Sequence, residues 1–527
     1  MYLKRYCGRN VCRQKGDGVV PMVCAREPAV CIRFESTDRK SRGSEEKIVI
    51  QTLRNRIAHK NVLILGFGRE GRSTYQMLRR AGGYASLAVA DQNLRDPSLE
   101  PETGWFAGPD HQKAVREFDL VFKSPGVVLE PEIEAELKKR AGGISGSLTS
   151  QTQEFFRRFR DQIIGITGTK GKSTTTTLLF HILKENGFPC LLAGNIGIPV
   201  FDVAMQMRED TVVVCELSCH QLEYMTVSPG VGILTNIHEE HLDHYGSMEK
   251  YVASKKQVYL HQRPEDVFFC NSEDLPAAEE TCGRLIPVYG TERLQAEGFS
   301  SEQIQAAGIE SGGLTEDDTE TVKIWHKTVF FDGGIYRIPL EQTRLVGEHN
   351  CFDIGIAYAV CRRQGISDQD FNRALYTYEP LPHRLQYVGC YGGIKYYDDS
   401  ISTICETAIQ ALHSVEDADT ILIGGMDRGI DYKELIRALY GYPELNVILM
   451  EATGRRICQE IRENYRDFPS SQRLYLTEHL EDAVKLAAEK TRPGRSCVLS
   501  PAAASYGIFK NFEERGEAFQ ALVKNSV

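Results

Sequence analysis

The sequence predicts an α/β protein of three domains: an N-terminal Rossmann-like unit, a central phosphate-loop unit on a mostly parallel sheet, and a second Rossmann-like unit at the C-terminus. Three observations carry that prediction. Short β-branched apolar runs such as "NVLIL", "TVVVCE", "GVGILTN" and "NVILM" alternate with helical patterns along most of the chain, as strands buried on both faces of a parallel sheet do. Two separate glycine-rich turns each stand between such a run and a helical pattern. The 527 residues exceed what one domain of about 150 residues accommodates.

Residues 1–45 are basic, lack periodicity and contain a second methionine, Met22; they are expected to be a disordered extension or the product of a misplaced start codon. The first domain is expected over 46–150. It opens with "NVLILGFGREGRSTYQMLRRAGG", which sets Gly66, Phe67, Gly68 and Gly71 between a strand and a helix, with Asp91 closing the next apolar run. That spacing lets a backbone approach a pyrophosphate at a helix N-terminus. The same pattern fits a nicotinamide dehydrogenase, or a tight turn holding nothing.

The central domain is expected over 151–380. Its signature is "GITGTKGKST", residues 165–174. Ile166 stands where the strict phosphate-loop pattern has glycine, but the working parts remain. The backbone of Gly168, Thr169, Lys170 and Gly171 can turn N–H groups inward. Lys172 can meet the β and γ phosphates, and Ser173 or Thr174 can reach Mg²⁺. ATP-type binding is therefore predicted. An acidic segment from about Gly298 to Thr321 reads as a peripheral insertion, and strand–helix alternation resumes in a C-terminal domain expected over 381–527.

Charge narrows the partners. The balance of 62 Lys+Arg against 72 Asp+Glu, −10 overall, argues against nucleic acid and anionic membrane surfaces. No run approaches the roughly 18 apolar residues that cross a bilayer. The 15 cysteines are scattered through apolar runs and lack paired C-x-x-C knuckles, which suits reduced thiols in a cytoplasmic protein.

Two phosphate-holding signatures in one chain call for one nucleotide as fuel and another as part of a substrate. From Asn61 to Phe519 the chain resembles the Mur ligases, the ATP-dependent amino-acid-adding enzymes of peptidoglycan synthesis, and within them the glutamate-adding branch. The matching stretches are "TGTKGKST", "AGNIGIP", "ELSCHQLE", "EEHLDHYGS", "GEHN", "LPHRL", "DDSIST", "GGMDRG" and "LSPAAASYGIFKNFEERGEAF". The resemblance implies a monomeric ligase that uses ATP and Mg²⁺ to join glutamate to UDP-N-acetylmuramoyl-L-alanine through an acyl phosphate.

Carried over residue by residue, it implies Lys172, Glu216, His241 and Lys255 as the catalytic set. Ser173, Glu216, His241 and Lys255, the last carbamylated, would hold the metal, with Lys256 the alternative to Lys255. Arg384 and Asp399 join the phosphate loop in binding ATP. Asn195, Ser218 and Gln221 join the Gly66–Gly71 loop in binding the UDP-sugar, and Thr403, Arg428, Ser505 and Phe512 form the glutamate pocket. Three positions depart from the family pattern: Lys170 replaces Asn, Ile401 replaces Lys in the "DDSKAT"-like stretch, and Asp353 replaces the second Asn after "GEHN". "TGTKGKST" and "DDSIST" also resemble a branch that adds L-glutamate, so D-glutamate is the first expectation and L-glutamate the alternative.

Overall fold

A computed structural model of the protein describes residues 42–525 except Leu94, Pro97, Gly197, His241, Ala278, 299–320 and 466–472. Most of the expected N-terminal extension and of the acidic insertion lies outside the described residues. A helix, Arg42–Ile57, precedes the first sheet.

The first sheet is fully parallel. It contains β1 (Asn61–Leu65), β2 (Ser86–Asp91), β3 (Gly104–Ala107), β4 (Leu120–Lys123) and β5 (Leu148–Thr149), in the order β3-β2-β1-β4-β5. The second holds β6 (Ile163–Thr167), β7 (Cys190–Gly194), β8 (Val212–Glu216), β9 (Val231–Leu234), β10 (Val267–Asn271) and β11 (Arg284–Tyr289). It continues through β12 (Val322–Trp325), β13 (Thr328–Phe331) and β14 (Gly334–Arg337). Its order is β14-β13-β12-β11-β10-β9-β6-β8-β7, and only the β12–β13–β14 edge is antiparallel.

The third sheet contains β15 (Gln386–Tyr391), β16 (Ile394–Asp398), β17 (Ala418–Gly424), β18 (Asn446–Met450), β19 (Leu474–Thr477) and β20 (Ser496–Leu499), ordered β15-β16-β20-β17-β18-β19. Only the β15–β16 pair is antiparallel.

Topology puts the functional loops in place. After β6 the chain crosses past the position of β8 to form β7, whereas β9 lies on the other side of β6. The loop leaving β6 therefore opens into the crevice where winding reverses, the usual ligand position of an open parallel sheet. In the third sheet β20 inserts between β16 and β17, so the carboxyl ends of three strands converge.

The helix after β6, Lys172–Glu185, contains the run Thr174–Thr177, and β-branched residues are weak helix formers. Burial compensates: Leu178, Leu179, Ile182 and Leu183 are fully inaccessible and pack into the core of the second sheet. Thr177 Oγ1 also donates back to the Ser173 carbonyl at 2.8 Å. The first two sheets share one apolar cluster, in which Val62 and Phe122 join Phe155, Phe156 and Val213.

Candidate active site

The loop from Gly168 to Gly171 is bent by two glycines at φ +150° and +80°. A Cβ at Gly168 would collide with Thr235 Oγ1, and one at Gly171 with the Asp353 carboxylate. Neighbouring strand ends hold the bend. Asn236 Oδ1 accepts from Lys170 N at 2.8 Å and its carbonyl accepts from Thr169 N at 2.8 Å. Thr235 Oγ1 and Asn236 Nδ2 donate to the Lys170 carbonyl at 2.6 and 3.1 Å. Lys170 is thus fixed by its backbone while its side chain lines the cleft. Thr235 and Asn236 end the apolar run "GVGILTN", and the parallel pairing of β9 with β6 brings them to the loop.

Behind the loop, Lys255 is buried and donates from Nζ to the Gly168 carbonyl at 2.6 Å. Burial, then the nearby charge of Lys172, pushes its ammonium down to about 7. The adjacent Lys256 instead pairs with Glu280 at 2.7 Å. Lys172 Nζ donates to the Thr169 carbonyl at 2.7 Å; burial lowers its pKa, opposed by Glu216 and Glu240. Glu216 ends β8 at 1 % exposure. Its Oε1 accepts from Asn195 Nδ2 at 2.8 Å, while Oε2 is buried without a partner. An orphaned buried carboxylate oxygen is costly unless a cation or donor meets it, so this site fits a hard divalent ion. His241 lies outside the described residues. Among those described, no cluster of three His, Cys, Asp or Glu side chains is preassembled for a metal.

The N-terminal glycine loop is built for close approach. Gly66 has φ +89°, and a Cβ on Gly71 would strike the Gly66 carbonyl. Phe67 turns its ring into the core, edge-on to Tyr75 and Trp105, so only its backbone faces the turn. Asp91 uses Oδ2 to accept from Phe67 N at 2.7 Å and Oδ1 to accept from Asn93 N at 2.9 Å. Both oxygens brace the turn.

Ser218 and Gln221 form a reciprocal capping box at the helix Cys219–Leu222. Gln221 Nε2 also donates to Glu70 Oε1 at 2.7 Å, across to the first domain. Asn195, expected as a sugar contact, lines the cleft and orients Glu216, and its carbonyl accepts from Arg69 Nη2 at 3.1 Å.

A cleft of about 860 Å³ joins the phosphate loop to the C-terminal domain. Thr169 to Thr174, Asn195, Glu216, Arg384, Asp399, Thr403 and Phe512 line it. Arg384 Nη2 donates to Ser173 Oγ at 3.2 Å, bridging the two domains. Asp399 accepts from Leu385 N at 3.1 Å and Ser500 Oγ at 2.7 Å, and burial pushes its carboxyl up to about 7. Asp399, expected as a ribose contact, lines the cleft while bracing its own loop. Arg428 is exposed and donates to the Thr403 carbonyl at 2.8 Å, and Ser505 is buried behind the cleft. The sequence reading passed over His383, which pairs with buried Asp398 at 2.7 Å on the same wall.

A phosphate loop at the switch point of a parallel sheet, facing an arginine from the next domain, defines a nucleotide-dependent enzyme that works between domains. A model of the Mur ligase middle domain matches residues 166–361. The UDP-N-acetylmuramoylalanine–D-glutamate ligase of Acetivibrio thermocellus is 31 % identical over 490 residues, covering 90 % of this chain and 98 % of the relative. That of Halalkalibacterium halodurans is 31 % identical over 475 residues, covering 88 % and 97 %. Among solved structures, UDP-N-acetylmuramate-alanine ligase MurC of Thermotoga maritima shares the fold with a TM-score of 0.52 at 16 % identity, covering 89 % of this chain and 100 % of that one. The chain belongs to the Mur ligase family, whose members are ATP-dependent amide-forming ligases.

Gly171→Ala tests the loop. An L-residue in this left-handed conformation costs about 1–2 kcal/mol, and displacement of Asp353 adds to it. ATP affinity, measured by titration calorimetry, is expected to fall about tenfold or more. Gly187→Ala, at the same φ of +80° with nothing near its Cβ, is expected to leave affinity unchanged. Equal affinities in both variants would remove the loop from nucleotide binding.

Proposed function

We propose that the protein adds D-glutamate to the terminal carboxyl of UDP-N-acetylmuramoyl-L-alanine, spending ATP and forming an acyl phosphate. It works with Mg²⁺, as a cytoplasmic monomer. Residues 46–150 serve the UDP-substrate, 151–380 ATP, and 381–527 the amino acid. The observation that carries this reading is a single cleft lined by Arg69 and Asn195 on one side, the phosphate loop and Glu216 at its floor, and Thr403 and Phe512 opposite. The relatives named as D-glutamate ligases favour the D enantiomer over L and a ligase over the dehydrogenase.

The chemistry follows from charge. A carboxylate oxygen must bond to the γ-phosphorus as ADP leaves, and two anions repel each other. Lys172, Arg384 and the loop N–H groups offset that repulsion. The glutamate amine then attacks the acyl carbon and loses a proton, and orthophosphate departs with one former carboxyl oxygen. Ser173, Glu216, His241 and carbamylated Lys255 would hold Mg²⁺, which supplies further neutralisation of phosphate charge when bound. Lys255 suits carbamylation: a buried amine held near neutrality adds CO₂ and releases a proton, turning a cation into a carboxylate.

With ATP, Mg²⁺ and UDP-N-acetylmuramoyl-L-alanine, sustained phosphate release is expected with D-glutamate and not with L-glutamate or without amino acid. Amino-acid-independent release would defeat the ligase reading, and a preference for L-glutamate would move it to the other branch. Lys172→Ala is expected to lower turnover by about 10²-fold or more, the scale of one lost transition-state contact.

For Lys255, NMR in carbon-13 bicarbonate should reveal a carbamate resonance that disappears in Lys255→Arg and persists in Lys256→Gln. The opposite pattern would reassign the modification to Lys256.

A further inference from the structure

The motif "NFEERGEAF" contains the largest fully buried side chain of the described residues, Arg515, at 1 % exposure. A buried guanidinium is expensive to desolvate, and the mechanism above does not use it. It stands in the first turn of the helix Phe512–Asn525. Its Nη2 donates to the Ser400 carbonyl at 2.8 Å and to the Ala503 carbonyl at 3.0 Å. These carbonyls belong to the loops leaving β16 and β20.

The third loop, leaving β17, closes on the same group. Gly425 has φ +153°, and a Cβ there would lie 3.0 Å from Arg515 Nη1 and collide with the Ala504 carbonyl. Met426 N donates to that carbonyl at 2.9 Å, joining the second and third loops directly. Next to Arg515, the bare Cα of Gly516 makes room for His383 Nδ1, Ser400 Oγ and Asp398 Oδ2, each of which an alanine methyl would strike. The first turn of this helix is thus wedged among all three strand ends. Burial draws the Arg515 pKa down to about 10, so it stays cationic at neutral pH, as a group facing two carbonyl dipoles should.

We propose that Arg515 is the positioning residue of the amino-acid pocket: it ties the loops after β16 and β20 together against the loop after β17. The four residues nominated for glutamate all hang from this tie. Thr403 sits on the first loop, Arg428 on the third, Ser505 on the second, and Phe512 at the start of the helix that carries Arg515. Arg428 depends on the spacing of two of them, since it donates to the Thr403 carbonyl. The inference rests on the proposed function, because it takes the pocket to hold glutamate.

The test separates the two half-reactions. Arg515→Lys keeps the charge and can reach one carbonyl; Arg515→Met keeps the bulk alone. Losing a charged hydrogen bond is on the order of a tenfold effect. The KM for glutamate is therefore expected to rise about tenfold in Arg515→Lys and further in Arg515→Met. Acyl phosphate formed from ATP and UDP-N-acetylmuramoyl-L-alanine without glutamate, trapped by borohydride reduction, should stay within about twofold of wild type.

A purely structural role would lower the unfolding temperature and depress both half-reactions together, or leave the glutamate KM unchanged; either result overturns the proposal. If neither variant folds, hydrogen exchange on the wild type decides. Glutamate should protect segments 400–404, 424–428 and 502–506 as one unit, and protection of one segment alone overturns the tie. Absence of trapped acyl phosphate in the wild type would instead sink the functional reading.

Discussion

Gly168 and Gly171 bend the backbone between β6 and its helix into conformations other residues rarely adopt, and Thr235 and Asn236 hold the bend from the end of β9. The central site depends on this constraint. Asn236 takes the N–H groups of Thr169 and Lys170, and the bend so held turns the start of the following helix, with its free N–H groups, toward the place of a triphosphate. The loop is over-determined: carbonyls at Gly168 and Thr169 take lysine ammonium groups, Lys170 is gripped at both its N–H and its carbonyl, and Asp353 fills the space under Gly171. Such bracing keeps a strained turn in place without a ligand.

The charges around the loop are arranged with equal economy. Lys172 and Lys255 are both buried, and the charge of Lys172 adds to burial in lowering the pKa of Lys255. Glu216 lies beside them with one oxygen oriented by Asn195 and the other unpartnered. Adding a carboxyl to Lys255 would convert cation beside cation into anion beside cation and give the orphaned oxygen a companion for a divalent ion. In the C-terminal domain the same logic acts around a second buried cation, with Glu451, Asp398 and Asp399 near it. Arg515 meets backbone carbonyls, and its charge organises loops whose own sequences are mostly small residues, "DDSIST" and "SPAAAS".

Much of this was legible in the chain, for identifiable reasons. Parallel strands buried on both faces announce themselves as continuous apolar runs, so "IIGIT", "VVVCE" and "NVILM" appear as β6, β8 and β18. The glycine loops were legible because their conformations exclude side chains. What sequence could not show is which polar groups spend their hydrogen bonds inside the protein. Asn195, Ser218 and Gln221, expected as substrate contacts, also orient Glu216, cap a helix and bridge to Glu70. Asp91 and Asp399 likewise hold backbone amides. These pairings join residues far apart in sequence, and no local pattern records them. His383 with Asp398, and Arg515 with two distant carbonyls, were hidden for the same reason.

The central claim is that ATP is spent to activate a carboxyl group in the cleft above Lys172, and its most direct measure follows the oxygen atoms. UDP-N-acetylmuramoyl-L-alanine labelled with heavy oxygen in its terminal carboxyl is turned over with ATP and D-glutamate, and the released orthophosphate is examined by mass spectrometry. The account predicts one labelled oxygen in each phosphate and none in ADP. Unlabelled phosphate would mean that water, not the carboxylate, attacked the γ-phosphorus, and would contradict it.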